Sequence, residues 1–276
     1  MVELDGGAEA GDGGGGGRDA TTGADAGPPD DGSTAADADA TTPVDAAPPC
    51  PGDAGPAMVD VGGYCIDSTE VTEAQYATFL AAVGSTPSDP APCAFKTSHT
   101  PDNGSTCRWN PAMYPNLPVV CVDWCDATAY CKWAGKRLCG KIGGGSVAYP
   151  GAEDIDATKD QWYRACSMAG TRKYPYGNTL DAGACNGSER NVSATVAVGS
   201  RPGCVGGYPG LFDMVGNAFE WENSCADNSS GAKCKLRSGS WFFNDGAGYN
   251  RCSGVYTSDS VRSKRYDDTG FRCCAP

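Results

Sequence analysis

All 16 cysteines of this 276-residue chain lie between Cys50 and Cys274. Their number is even, and the spacing lacks the paired Cys-x-x-Cys knuckles of a zinc site. Such a density predicts a loop-rich domain stapled by disulfides in an oxidising compartment. The first 49 residues are of another kind. They hold no cysteine and no aromatic residue, and Val2, Leu4 and Val44 are their only larger aliphatics. A segment this poor in apolar surface cannot offset the entropy of ordering itself, so residues 1–55 read as a disordered acidic Gly/Ala/Asp/Pro linker. The domain is expected over residues 56–276.

Charge divides in the same way. The net charge is −13, and residues 1–50 supply most of it, with nine Asp and two Glu against Arg18. The remainder is close to neutral and offers no basic face, which argues against nucleic acid as a partner. No apolar run is long enough to span a membrane. The single histidine, His99, rules out multi-histidine metal centres. It sits in the polar run Thr97-Ser-His-Thr-Pro101 with no nucleophile motif beside it, and reads as a loop residue and not a catalytic base. Met1 is followed by no charged and apolar signal pattern. The expectation is therefore an extracellular, cell-surface or periplasmic protein whose export signal is not visible here, held off its anchor by a lipoprotein-like linker, as on a bacterial surface.

Three short helices are predicted. The first starts at Thr72, with Gln75 completing a capping box and Tyr76, Phe79, Leu80 and Val83 on one face. The second follows Asp123 to about Ala134 and stops at Gly135. The third opens at Thr158 with Gln161 as its box partner, buries Trp162, Ala165, Cys166 and Ala169, and ends at Gly170. Pro118–Val122 and Leu236–Phe243 read as short strands. The result is an irregular α+β domain low in regular structure.

Several segments occur in a telling order. They are Tyr64-Cys-Ile-Asp-Ser-Thr-Glu-Val-Thr72, Pro118-Val-Val-Cys-Val-Asp-Trp124, Ala129-Tyr-Cys-Lys-Trp-Ala-Gly-Lys-Arg-Leu138 and Tyr174-Pro-Tyr-Gly-Asn178. Then follow Gly210-Leu-Phe-Asp-Met-Val-Gly-Asn-Ala-Phe-Glu-Trp221, Arg237-Ser-Gly-Ser-Trp241 and Thr269-Gly-Phe-Arg-Cys273. Together they resemble the formylglycine-generating enzyme family, the sulfatase-modifying factors, over roughly residues 58–274. The resemblance implies a C-type-lectin-like fold and two disulfides, Cys131–Cys273 and Cys166–Cys252. The other pairings are open; proximity suggests Cys93–Cys107, Cys185–Cys204 and Cys225–Cys234.

Active members of that family oxidise a substrate cysteine with oxygen and a copper ion held by two thiolates. At the matching positions this chain has Phe243 and Gly248, so copper is not expected. The iron-dependent branch needs several histidines and is excluded as well. The resemblance also implies calcium, held by the carboxylates of Asp213 and Glu220 and the carbonyls of Gly216 and Ala218, an all-oxygen set suited to a hard cation. A second family calcium loop would begin at Asn186, where the following stretch is shorter here. Trp241, Phe243, Asn244 and Tyr249 fall where the family has its substrate groove, with Phe242, Tyr256, Asp245 and Asn250 interleaved among them. Aromatics with amides suit recognition of an unidentified protein, peptide or glycan. The expectation is a tethered ligand-binding or structural module that does not oxidise cysteine. The rival readings are a divergent oxidase or another activity in the same groove.

Overall fold

The computed structural model describes residues 50–276 apart from 53, 85 and 86. Residues 1–49 of the expected linker lie outside the described residues. Cys50, ahead of the expected border at residue 56, is bonded to Cys65.

Each helix begins where a side chain can satisfy N–H groups that have no partner within the helix. Helix α1 (Glu73–Val83) follows Thr72, whose hydroxyl accepts from the Gln75 N–H while the Gln75 side chain accepts from the Thr72 N–H. Tyr76 and Phe79 are buried, whereas Val83 is exposed. Helix α2 (Trp124–Trp133) repeats the box with Asp123 and Asp126. Helix α3 (Gln161–Ser167) differs from the expectation at both ends. Its cap is Asp160, which accepts from the Tyr163 N–H, because the Thr158 hydroxyl is turned to Asp156. It ends before Gly170, as Met168 and Ala169 already adopt left-handed φ of 49° and 57°.

Two four-stranded sheets complete the framework. Strands β1 (Met58–Asp60), β2 (Cys65–Asp67), β3 (Arg137–Leu138) and β8 (Cys273–Ala275) form one, in the antiparallel order β1-β2-β8-β3. The other comprises β4 (Phe219–Cys225), β5 (Cys234–Arg237), β6 (Val255–Tyr256) and β7 (Thr269–Gly270) in the order β6-β5-β4-β7, with β4 and β7 parallel. Two strand expectations need correction. Residues 119–122 run as irregular chain, tied by the Val119 N–H to the Val71 carbonyl and by the Cys121 N–H to the Tyr266 carbonyl. The strand expected over Leu236–Phe243 stops at Arg237, because Ser238 turns with a φ of 60°.

One apolar cluster joins α1, α2 and β4, with the Tyr130 ring in contact with those of Tyr76, Phe79 and Phe271. A second gathers Tyr64, Ile66, Trp162, Leu211 and Met214 around α3. Eight disulfides stitch this framework together. Cys131–Cys273, Cys166–Cys252, Cys185–Cys204 and Cys225–Cys234 are all present. Cys93 and Cys107 are not bonded to each other: Cys93 pairs with Cys125 and Cys107 with Cys121. The reason lies in how the loop docks. Lys96 meets Asp123 at 2.7 Å and Asp126 at 2.6 Å, which draws the Cys93 segment onto the start of α2 beside Cys125. His99 lies in irregular chain, yet it is buried, with Nδ1 at 3.0 Å from Asp126 and Nε2 at 3.2 Å from Asp89.

Candidate functional site

After β5 the chain turns at Ser238 and Gly239, and a side chain at Gly239 would overlap that of Asn250. The Trp241 N–H then donates to the Asn217 carbonyl at 3.1 Å. The Phe243 carbonyl accepts from Ser188 N–H and from the Asn250 amide. These anchors set Trp241, Phe242 and Phe243 along a cleft of about 310 Å³, backed by Phe219, Tyr256 and Tyr266. Adjacent rings meet at steep angles, with Phe242 5.7 Å from Trp241 and 5.3 Å from Phe243 between centroids. Phe242 is 63% exposed and extends the aromatic surface of the cleft toward solvent. Asp267 and Asp268 complete the lining. A second hollow of about 360 Å³ shares Trp241 and Asp267 and is polar, with Glu73, Arg108, Thr106 and Thr195.

Of the four residues expected to form the groove, Trp241 and Phe243 line the cleft. Asn244 caps the short 3-10 turn Asp245–Ala247 by accepting from the Ala247 N–H. Tyr249 packs behind the cleft wall, 5.1 Å from Phe243 and 5.5 Å from Tyr256. Asp267 and Asp268 were not anticipated from the sequence. They sit within Tyr266-Asp-Asp-Thr269, just before the Gly-Phe-Arg-Cys segment, and that proximity was the available signal.

The positions matched to copper thiolates hold Phe243, in the aromatic cluster, and Gly248, which closes the 3-10 turn with a φ of 81°. All 16 cysteines are in disulfides and none is free. Without a thiolate, this donor set does not fit monovalent copper.

The turn from Asp213 to Ala218 lies directly beneath the cleft, through the bond from Trp241 to Asn217. Asn217 is fully buried, with a φ of 58°. Its amide donates to Glu70 at 3.0 Å and its oxygen accepts from the Val196 N–H and the Asn186 amide. Gly216 has a φ of 73°, and a Cβ there would meet the Asn186 carbonyl at 2.7 Å. Asp213 accepts from the Gly199 N–H through Oδ2, while its Oδ1 has no partner. Glu70 Oε2 and Asn186 Oδ1 are likewise buried and unpartnered. Burial raises the Asp213 carboxyl to about 6; burial and then the Asp213 charge push Glu70 up too. Glu220 is differently engaged: both its oxygens accept from Arg272, and Oε2 also accepts from Trp162 Nε1 at 2.7 Å. The unpartnered oxygens of Asp213 and Asn186 fit a hard cation, whereas those of Glu220 already have donors. Among the described residues, no group of three or more His, Cys, Asp or Glu is arranged to hold a metal.

The family described as sulfatase-modifying factor enzyme 1-like domain matches residues 30–275. Over 171 residues the chain is 28% identical to the Bos taurus protein named inactive C-alpha-formylglycine-generating enzyme 2, covering 58% of this chain and 50% of that one. It is 29% identical over 188 residues to the formylglycine-generating enzyme of Streptomyces coelicolor, covering 58% and 52%. The chain thus spans about half the length of these curated relatives. Among solved structures, PvdO from Pseudomonas aeruginosa is similar with a TM-score of 0.49 at 20% identity, covering 77% of this chain and 80% of that one.

Proposed function

This chain belongs to the sulfatase-modifying factor enzyme 1-like family, and from that premise we propose that it is a binding module that does not oxidise cysteine. It acts outside the cytoplasm, held from a surface by its acidic N-terminal segment, and recognises its ligand in the cleft at Trp241. The observation that carries this reading is an aromatic surface with no free thiol beside it: every cysteine is bridged and Phe242 is exposed beside Trp241, which agrees with the resemblance that sets Phe243 at a copper position. The bovine relative named inactive supports it by similarity. Sixteen bridged cysteines favour an oxidising compartment.

Calcium belongs to the same proposal. Asp213, with the carbonyls of Gly216 and Ala218, would hold it, and the unpartnered Asn186 oxygen makes that residue the candidate for a second loop. A bound cation would supply charge balance and rigidity beneath the cleft, through the Asn217–Trp241 bond.

The test is twofold. A cysteine peptide derived from a sulfatase, incubated with the oxidised protein, copper and oxygen, keeps its mass, and formation of formylglycine overturns the reading. A mixed peptide and glycan array captures ligand with the native protein and not with Phe242→Ala; capture unaffected by that change moves the ligand site elsewhere.

A further inference from the structure

A hollow of about 410 Å³ opens between the end of α1, the solvent-facing side of α2 and the segment that carries Asp89. It shares no lining residue with the cleft at Trp241. Phe79, Val83, Pro87 and Trp133 give it an apolar wall, on which Val83 is left 41% exposed. Its charged and polar lining is sparse and consists of Asp89, His99, Lys132 and Ser88.

The buried His99 ring decides what this hollow accepts. Its Nδ1 lies 3.0 Å from Asp126, which also meets Lys96 at 2.6 Å and Arg265 at 2.9 Å. A carboxylate held by two cations only accepts, so Nδ1 carries a proton and donates it to Asp126. In the neutral ring Nε2 is then an acceptor. It stands 3.2 Å from Asp89 Oδ2, which is buried and makes no hydrogen bond. Two acceptors side by side, with no aligned donor between them, suit a group that brings at least two hydrogens. A buried carboxylate oxygen left without one is costly. A metal ion would find too few ligands, because no group of three His, Cys, Asp or Glu converges among the described residues. A primary ammonium supplies both hydrogen bonds and the charge.

The remaining lining fixes the rest of the ligand. Lys132, in the last turn of α2, reaches the hollow and makes no hydrogen bond or ion pair among the described residues. An amine without an acid would be opposed by Lys132, and an acid without an amine by Asp89. A polyol has too little apolar surface for a wall of four apolar side chains. A small zwitterion with an apolar body uses every part of the lining. We propose that this hollow binds a free α-amino acid with a large apolar side chain. Its ammonium lies between Asp89 and His99 Nε2, its carboxylate meets Lys132, and its side chain packs on Phe79, Val83 and Trp133. A residue inside a polypeptide carries neither charge, which separates this ligand from a peptide bound in the cleft.

The experiment is calorimetric titration of the full chain at pH 8 with L-phenylalanine and three analogues. Phenethylamine lacks the carboxylate, hydrocinnamate lacks the ammonium, and N-acetylphenylalanine amide lacks both charges. L-phenylalanine binds, and each analogue binds more weakly by at least about tenfold, the scale of one hydrogen bond to a charged group. Asp89→Asn narrows the gap between L-phenylalanine and hydrocinnamate, and Lys132→Gln narrows that between L-phenylalanine and phenethylamine. Lys132 is exposed and without a partner among the described residues, so its variant folds, which circular dichroism verifies. No binding of L-phenylalanine, an analogue that equals it, or affinities unchanged by either substitution overturns the assignment.

Discussion

Arg272 grips Glu220 in the interior of the domain, from Nε at 2.8 and 2.9 Å and from Nη2 at 2.7 Å, with both side chains 1% exposed or less. Arg272 also donates to the carbonyls of Asp67, Phe212 and Asp213. One side chain thereby joins β2, the Asp213 turn, β4 and the C-terminal segment. Removing one member of such a pair leaves the other charge buried alone. Glu220→Gln is expected to lower unfolding free energy by about 3–5 kcal/mol, measured by urea denaturation. A loss under 1 kcal/mol would show that the pair is not the clamp described.

Complete bridging has a direct chemical signature. Thiol titration of the protein unfolded in guanidinium without reductant should find no reactive sulfur, and intact mass should rise only after reduction and alkylation. Serine at both Cys131 and Cys273 opens a bridge with a sequence separation of 142. Cys139–Cys274 still closes nearly the same loop, so only the short loop between the two bridges is released, and the loop-closure relation puts that loss at about 2–3 kcal/mol. Two free thiols in the oxidised protein would contradict the pairing.

Stability should rise on acidification from pH 8 to 5. Burial raises the Glu73 and Glu222 carboxyls to about 7, and those of Asp67, Asp123 and Asp213 to about 6. The folded chain therefore keeps protons that the unfolded chain releases above its ordinary carboxyl values. That contribution is fully present below about pH 4 and is lost as pH rises through 6 and 7. Asp126 is held low despite its burial, by His99, Lys96 and Arg265, and acts in the opposite sense only in stronger acid. Glu73→Gln keeps an oxygen for the Asn110 N–H, which Glu73 now accepts at 2.9 Å. The variant should narrow the difference between urea midpoints at pH 5 and pH 8; an unchanged difference excludes Glu73 from the effect.

Calcium at the Asp213 turn predicts a rise in melting temperature that a chelator reverses. Free calcium at 100 times its Kd would add about 2.7 kcal/mol. Asp213→Ala should abolish the response, and the intrinsic fluorescence of Trp241 should report binding through its bond to Asn217. Identical melting with calcium and with chelator would end the proposal.

The parts of this structure legible in the sequence are those set by short-range geometry or by an ordered run of motifs. Thr72 with Gln75 and Asp123 with Asp126 reveal helix starts because each pair closes its own hydrogen bonds. Cys185–Cys204 and Cys225–Cys234 are close in sequence and bonded. The Cys93–Cys125 bridge was hidden because Lys96 decides it by docking on Asp123 and Asp126. Glu220 reads as a calcium carboxylate in the sequence because its buried partner Arg272 lies 52 positions later. The Asp267–Asp268 pair was not anticipated, since nothing local reveals the cleft that it lines together with Phe219 and Trp241.

Cys273 and Cys274, neighbours in β8, reach in different directions, to Cys131 in α2 and to Cys139 beyond β3. During synthesis they emerge 142 and 135 residues after their respective partners. Until they do, Cys131 and Cys139 are nascent thiols with no native mate, only eight positions apart. Any early oxidation between them must be undone by thiol–disulfide exchange before the two native bridges can close.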